Sequence, residues 1–179
     1  MKATGIVRRI DDLGRVVIPK EIRRTMRIRE GDPLEIYTSR DGEVIFKKYS
    51  LMGGLDDFAA QLCETMSRST GAICAVTDRD SVIAVAGGAK RELLGKPLSD
   101  ALAQVMEQRS IYQYQGSGRP LPVSDSSDRY TVAVAAPILC EGDVLGLVLF
   151  LSSDAQIPGE GEYKLAQTVS AFLGRHMET

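Results

Sequence analysis

One histidine and three scattered cysteines are all the imidazole and thiol that this 179-residue chain offers to a metal. His176 stands near the end of the sequence, Cys63, Cys74 and Cys140 lie far apart, and no CxxC pair occurs. That argues against a structural zinc centre built from thiolates and imidazoles. Three is also an odd number, so no complete set of internal disulfides can form, and a reducing, cytoplasmic setting is expected. Long apolar runs are missing too. None reaches the roughly 18 residues that a membrane-spanning helix requires, so no membrane partner is expected. The opening Met1-Lys2-Ala3-Thr4-Gly5 has no apolar core of signal-peptide length, and no leader is expected either. Finally, no nucleophile–base pair, metal-ligand spacing or pair of carboxylates can be assembled, so no catalytic residue is named and an enzyme is not expected. Cys63, Cys74 and Cys140 read as inert core thiols, and His176 as a surface or interface histidine.

Basic residues are what the chain has, and they are gathered at one end. The first fifty residues hold twelve Lys and Arg against eight acids, a balance of +4. The remainder holds ten bases against sixteen acids, a balance of −6, and together these give the net charge of −2. Such asymmetry predicts a polyanion-binding head on an acidic body. The composition changes at Ser50-Leu51-Met52-Gly53-Gly54, which sets the domains at 1–50 and 56–179 with a linker at 51–55.

In the head, Gly5–Ile10 and Arg15–Ile18 read as strands around an Asp11-Asp12-Leu13-Gly14 turn. Pro19 then suits the first turn of a short helix over Lys20–Met26, because its missing N–H would lack a partner there anyway. On that helix Lys20, Arg23, Arg24 and Arg27 share one side. Pro33–Ser39 and Glu43–Tyr49 form a hairpin closed by Arg40-Asp41-Gly42, with Gly42 at positive φ and Ile36 facing Phe46, Thr38 facing Val44 and Glu35 facing Lys47. The head has too few apolar side chains to offset the entropy of ordering it alone, so an obligate dimer is expected. Arg8, Arg9, Arg15, Arg23 and Arg24 are the candidate nucleic-acid contacts, since guanidinium groups bind phosphate oxygens and read guanine edges; the alternative is a solvated arginine surface partly offset by Asp11, Asp12 and Glu21.

The second domain reads as a helix from Leu55 to about Ser69, strands Ala72–Thr77 and Ser81–Ala86, a helix over Pro97–Gln108 and a weak strand Ser110–Tyr114. Two long apolar strands follow, Thr131–Leu139 and Asp143–Leu151, whose near-continuous Val, Leu and Ala content implies that both faces are covered. A helix from Gly159 ends the chain. It carries two stripes, Leu165/Val169/Phe172 and Tyr163/Ala166/Leu173/Met177; either one packs on the sheet and the other on a partner helix, or both form one broad buried face. The order predicts an α+β domain. Gln115–Arg129 is a polar loop, a lid or a disordered segment. Gly87-Gly88-Ala89-Lys90 is only superficially a phosphate loop, because it lacks the leading glycine and the hydroxyl residue after the lysine.

The stretches TGIVRRIDDLGRVVIPKEIRRTMRI and GDPLEIYTSRDGEVIFKKY strongly resemble the AbrB/SpoVT family of swapped-hairpin DNA-binding domains. The resemblance runs almost unbroken over residues 3–50. It implies a dimer of interleaved hairpins that presents Arg8, Arg9, Arg15, Arg23 and Arg24 to double-stranded DNA, with Pro19 starting the helix. Residues 55–179 are similar in element order to a GAF-like domain. Over the whole chain the resemblance implies a cytoplasmic transcription regulator of forespore genes, activator and repressor both, assembled as a tetramer through helices of the GAF-like domain. It also implies an unidentified small-molecule ligand in that domain; no cofactor is named by any motif. Similar heads occur in toxin–antitoxin pairs, usually with a disordered toxin-binding tail, whereas here a folded apolar domain follows.

Overall fold

A computed structural model describes residues 4–178; Lys2 of the basic head and Thr179, the last residue of the expected final helix, lie outside them. The chain divides between Tyr49 and Ser50 into two compact units.

The first unit contains helix α1 (Lys20–Thr25) and one antiparallel hairpin, β1 (Leu34–Thr38) with β2 (Val44–Lys48). The hairpin register is the expected one: Ile36 pairs with Phe46, Thr38 with Val44 and Glu35 with Lys47. Gly42 supplies the positive φ, 82°, that the three-residue loop needs. The strands expected at 5–10 and 15–18 do not form. That segment keeps only its turn, in which the Asp11 N–H donates to the Arg15 carbonyl at 3.0 Å and the Gly14 N–H to the Asp11 carbonyl at 3.0 Å. A strand is defined by its ladder, and among the described residues the flanks of the turn pair neither with each other beyond it nor with β1 or β2. Pro19 sits one position earlier than expected, at the helix N-cap, and its carbonyl accepts from the Arg23 N–H at 2.9 Å.

The second unit is built on an antiparallel six-stranded sheet. Its elements are α2 (Asp56–Thr70), β3 (Ile73–Thr77), β4 (Val82–Ala86), α3 (Lys90–Leu93), α4 (Asp100–Gln108), β5 (Tyr112–Gln113), β6 (Pro122–Ser124), β7 (Ser127–Cys140), β8 (Asp143–Ser152) and α5 (Glu160–His176). The strand order is β4-β3-β8-β7-β5, with β6 also paired to β7. Alternation along β8 sends Val148 and Phe150 to a core shared with α2 and α5, and Leu147, Leu149 and Leu151 to a core shared with α3 and α4; the register shift opposite Ile138 and Leu139 puts Leu145 in the first of these. Both faces are covered, as the unbroken apolar content of β7 and β8 predicts. The turn between them has two positive-φ residues, Glu141 (49°) and Gly142 (90°), the signature of a type I′ hairpin.

The structure corrects four expectations. Residues 51–55 are no free linker, because Met52 is buried in the core beneath α2 and the Leu55 N–H donates to its carbonyl at 3.1 Å. Residues 115–129 are neither lid nor plain loop: β6 and the first residues of β7 lie within them, joined through the Ser124–Ser127 pair, with Val123 buried. The predicted helix 97–108 starts only at Asp100, where Ser99 caps it; its Oγ accepts from the Leu102 N–H at 3.1 Å and donates to the Pro122 carbonyl at 2.7 Å. Cys140 is half-buried at the end of β7, not in the core, whereas Cys63 and Cys74 are buried and desolvation pushes each thiol up to about 12. Gly87 and Gly88 simply lead into the short α3.

Helix α5 meets β7 closely at Gly174, where an added Cβ would collide with the Leu139 carbonyl. Gly161, in the first turn of the same helix, has open space around it. Gly174→Ala is expected to lower stability by about 1–3 kcal/mol through overpacking, whereas Gly161→Ala is expected to raise it by about 0.5–1 kcal/mol through helix propensity. Denaturant midpoints of the two variants check both signs.

Candidate nucleic-acid interface

All five candidate arginines are exposed: Arg8 and Arg9 before the turn, Arg15 after it, Arg23 and Arg24 on α1. Lys20 extends this group along the helix, but Arg27 does not. The helix ends at Thr25, and Arg27 takes a left-handed conformation (φ 52°) while its carbonyl accepts from Lys48 Nζ at 2.9 Å. The i+7 position therefore no longer continues the stripe.

The turn between Arg9 and Arg15 is organised by one carboxylate. Asp11 Oδ1 accepts from the Leu13 N–H at 3.0 Å and the Arg15 N–H at 2.8 Å, and Oδ2 accepts from Arg15 Nε at 2.8 Å. Aspartate at the first position of a turn makes such bonds readily, and Gly14 follows with the positive φ that closes it. The Arg15 N–H and then the Arg15 guanidinium hold the Asp11 carboxyl below its ordinary value of 3.8. In the sequence Asp11 reads as the start of the turn and as a charge offsetting the arginines; the structure adds the hydrogen bonds of its carboxylate.

The rest of the head is unusually bare. Among its described residues only Pro19 is buried. Val7 is 85% exposed, Ile10 70% and Ile36 61%, and Phe46, Tyr49, Val16 and Val17 are exposed as well. Basic side chains thus share this unit with an apolar surface far larger than a stable monomer tolerates.

In the second unit, the outer edge of α2 and α5 carries an aromatic cluster. Phe58 and His176 have ring centroids 5.2 Å apart, Phe58 and Phe172 6.0 Å, and Phe172 and His176 6.1 Å. Val169 and Leu173 face the sheet while Phe172 is exposed, so α5 neither splits cleanly into two stripes nor buries one broad face. A cleft of about 250 Å³ opens where β8 runs into α5, lined by Ser152, Asp154, Gln156 and Glu162 among others. The region over the other sheet face is packed with Leu98, Leu102, Val105 and Met106.

Comparison with known proteins adds to this geometry. The pattern of the family described as stage V sporulation protein T C-terminal, transcription factor, matches residues 54–178. The chain belongs to this family. It is 50% identical to stage V sporulation protein T of Bacillus subtilis, over 99% of both chains. Residues 7–51 also match antidote-toxin recognition MazE, a bacterial antitoxin family. The transition state regulatory protein AbrB of Bacillus subtilis is 63% identical over 49 residues, 27% of this chain and half of AbrB. A segment of a methyl-accepting chemotaxis protein, residues 122 to 287, shares the fold at 13% identity, TM-score 0.54, over 68% of this chain and 87% of the segment.

Because the folded pKa of Asp11 lies below 3.8, its contribution to the turn is complete above that value and is lost as pH falls through the lower one. The Leu13 and Arg15 amide resonances should accordingly shift with a midpoint below pH 3.8. A midpoint at or above that value would show that the clamp does not form in solution.

Proposed function

We propose that this chain is a DNA-binding transcription regulator of sporulation, active in the cytoplasm of the forespore, which activates some genes and represses others. The full-length 50% identity to stage V sporulation protein T carries the reading. The 63% identity of the head to a transition-state regulator supports the placement of DNA contacts at Arg8, Arg9, Arg15, Arg23 and Arg24. Arginine is suited to that task because its planar fork satisfies a phosphate or a guanine edge with two bonds at once. The proposed role is one of binding, not catalysis.

Assembly belongs to the same proposal. A head whose described residues bury only Pro19 gains a core if a second chain supplies the missing strands, and the dimer forms through residues 1–50. The aromatic cluster on α2 and α5 supports a second contact, which joins two dimers into a tetramer. The cleft beside Ser152 and Glu162 supports binding of a small molecule by the GAF-like unit, whose occupancy would bias the assembly. The MazE match concerns the head alone, while the similarity over the entire chain is to a sporulation protein, so the antitoxin reading has less behind it.

Doubling five arginines by dimerisation presents ten. If all meet phosphates, log K falls with log salt at a slope of about −9. Arg8→Ala or Arg23→Ala should each weaken binding by about 1–3 kcal/mol and flatten that slope while leaving the oligomer intact. Anisotropy titrations across a salt series measure both, and binding indifferent to salt would dispose of the reading. Phe172→Glu should convert tetramers to dimers in sedimentation equilibrium without affecting the head dimer; a tetramer that survives the change would locate the contact elsewhere.

A further inference from the structure

We propose that Asp11 is a positioning residue for sequence specificity: its carboxylate fixes the plane of the Arg15 guanidinium so that Arg15 reads a guanine edge instead of merely neutralising phosphate. The inference rests on the DNA-binding reading above and deepens it. Among the described residues Arg15 alone of the five candidate arginines has an ion-pair partner. The pair uses Nε, at 2.8 Å from Oδ2, and the side chain remains 69% exposed. Both terminal amino groups are thereby left for an outside partner, and these are the donors that span guanine O6 and N7.

The arrangement makes little sense if affinity were the only requirement. Phosphates recur on each strand about every 3.4 Å of helix axis, so an arginine that contacts them gains little from a fixed orientation. A carboxylate beside it subtracts a positive charge from the surface and weakens the salt-dependent attraction. Base reading is different, because the guanidinium fork must lie in the plane of the base pair and a freely rotating side chain seldom does. Asp11 also holds the backbone on which Arg15 stands, through the N–H groups of Leu13 and Arg15, so one side chain sets both the origin and the direction of the fork. What that acid subtracts from attraction returns as discrimination.

The test uses the full chain, a duplex enriched by the wild-type protein from a random library, and a scrambled duplex of equal length. Asp11→Asn keeps an oxygen for the Leu13 and Arg15 N–H groups but removes the acceptor for Nε. Its affinity for scrambled DNA should stay the same or rise, while its preference for the enriched duplex falls about tenfold, the scale of one bidentate base contact. Arg15→Lys keeps the charge and abolishes the fork, and should lose the preference with its salt slope unchanged, whether or not Asp11→Asn folds. A preference retained in Arg15→Lys, or a parallel loss of both affinities in a folded Asp11→Asn, would overturn the role given to Asp11. Failure of the wild type to bind DNA in a salt-dependent manner would instead remove the underlying reading.

Discussion

Burial of apolar surface is the constraint on which the head depends, and within one chain it goes unmet. Its hairpin is correctly registered and α1 is capped by backbone bonds, yet Ile36, Phe46, Val7 and Ile10 remain open to water. Two-stranded sheets are marginal without a third element to cover a face. In the dimer proposed above, a second chain would supply the residues on either side of Asp11 with strand partners, and folding of the head would then be coupled to assembly and governed by concentration as well as sequence. The second unit has the opposite character, since its sheet is covered on both faces and its core needs no partner.

The same division explains where the chemistry resides. A head that cannot close on itself keeps its polar and charged side chains at the rim, where they are free to meet a polyanion. Order there comes from local bonds, of which the Asp11 clamp is the clearest. Buried thiols and well-packed glycines in the second unit do the reverse. Cys63 and Cys74 are held in the protonated state by desolvation, and Gly174 exists as glycine because α5 needs to touch the Leu139 carbonyl.

Much of this is legible in the residues, and what is not has identifiable causes. Register in the β1–β2 hairpin follows from Gly42 and the pairing preferences of Ile36 and Phe46, which are local. The long strands β7 and β8 are evident from their apolar content, though β7 begins at Ser127, four residues before its apolar part. Strand β6, three residues long, is too short to leave a periodic signal. Four-residue α3 is too brief for a helical period to show. Counting turns places Arg27 on the arginine face, but the helix stops first. Asp11 is legible as the first residue of a turn, whereas the bond from its carboxylate to the Arg15 guanidinium leaves no signal in the sequence.

The distribution of charge bears on specificity as well. With +4 in the first fifty residues and −6 in the rest, a polyanion is attracted by one unit and repelled by the other. A uniformly basic chain would bind DNA by any face, at high non-specific affinity and with no preferred register. Segregation confines productive encounters to the head, and a carboxylate among its arginines trims attraction there as well. Both features act in the same direction: they lower the affinity that any sequence would confer and leave the orientation-dependent contacts to decide where the protein stays. A regulator that must find few sites among many gains more from that ratio than from tight binding.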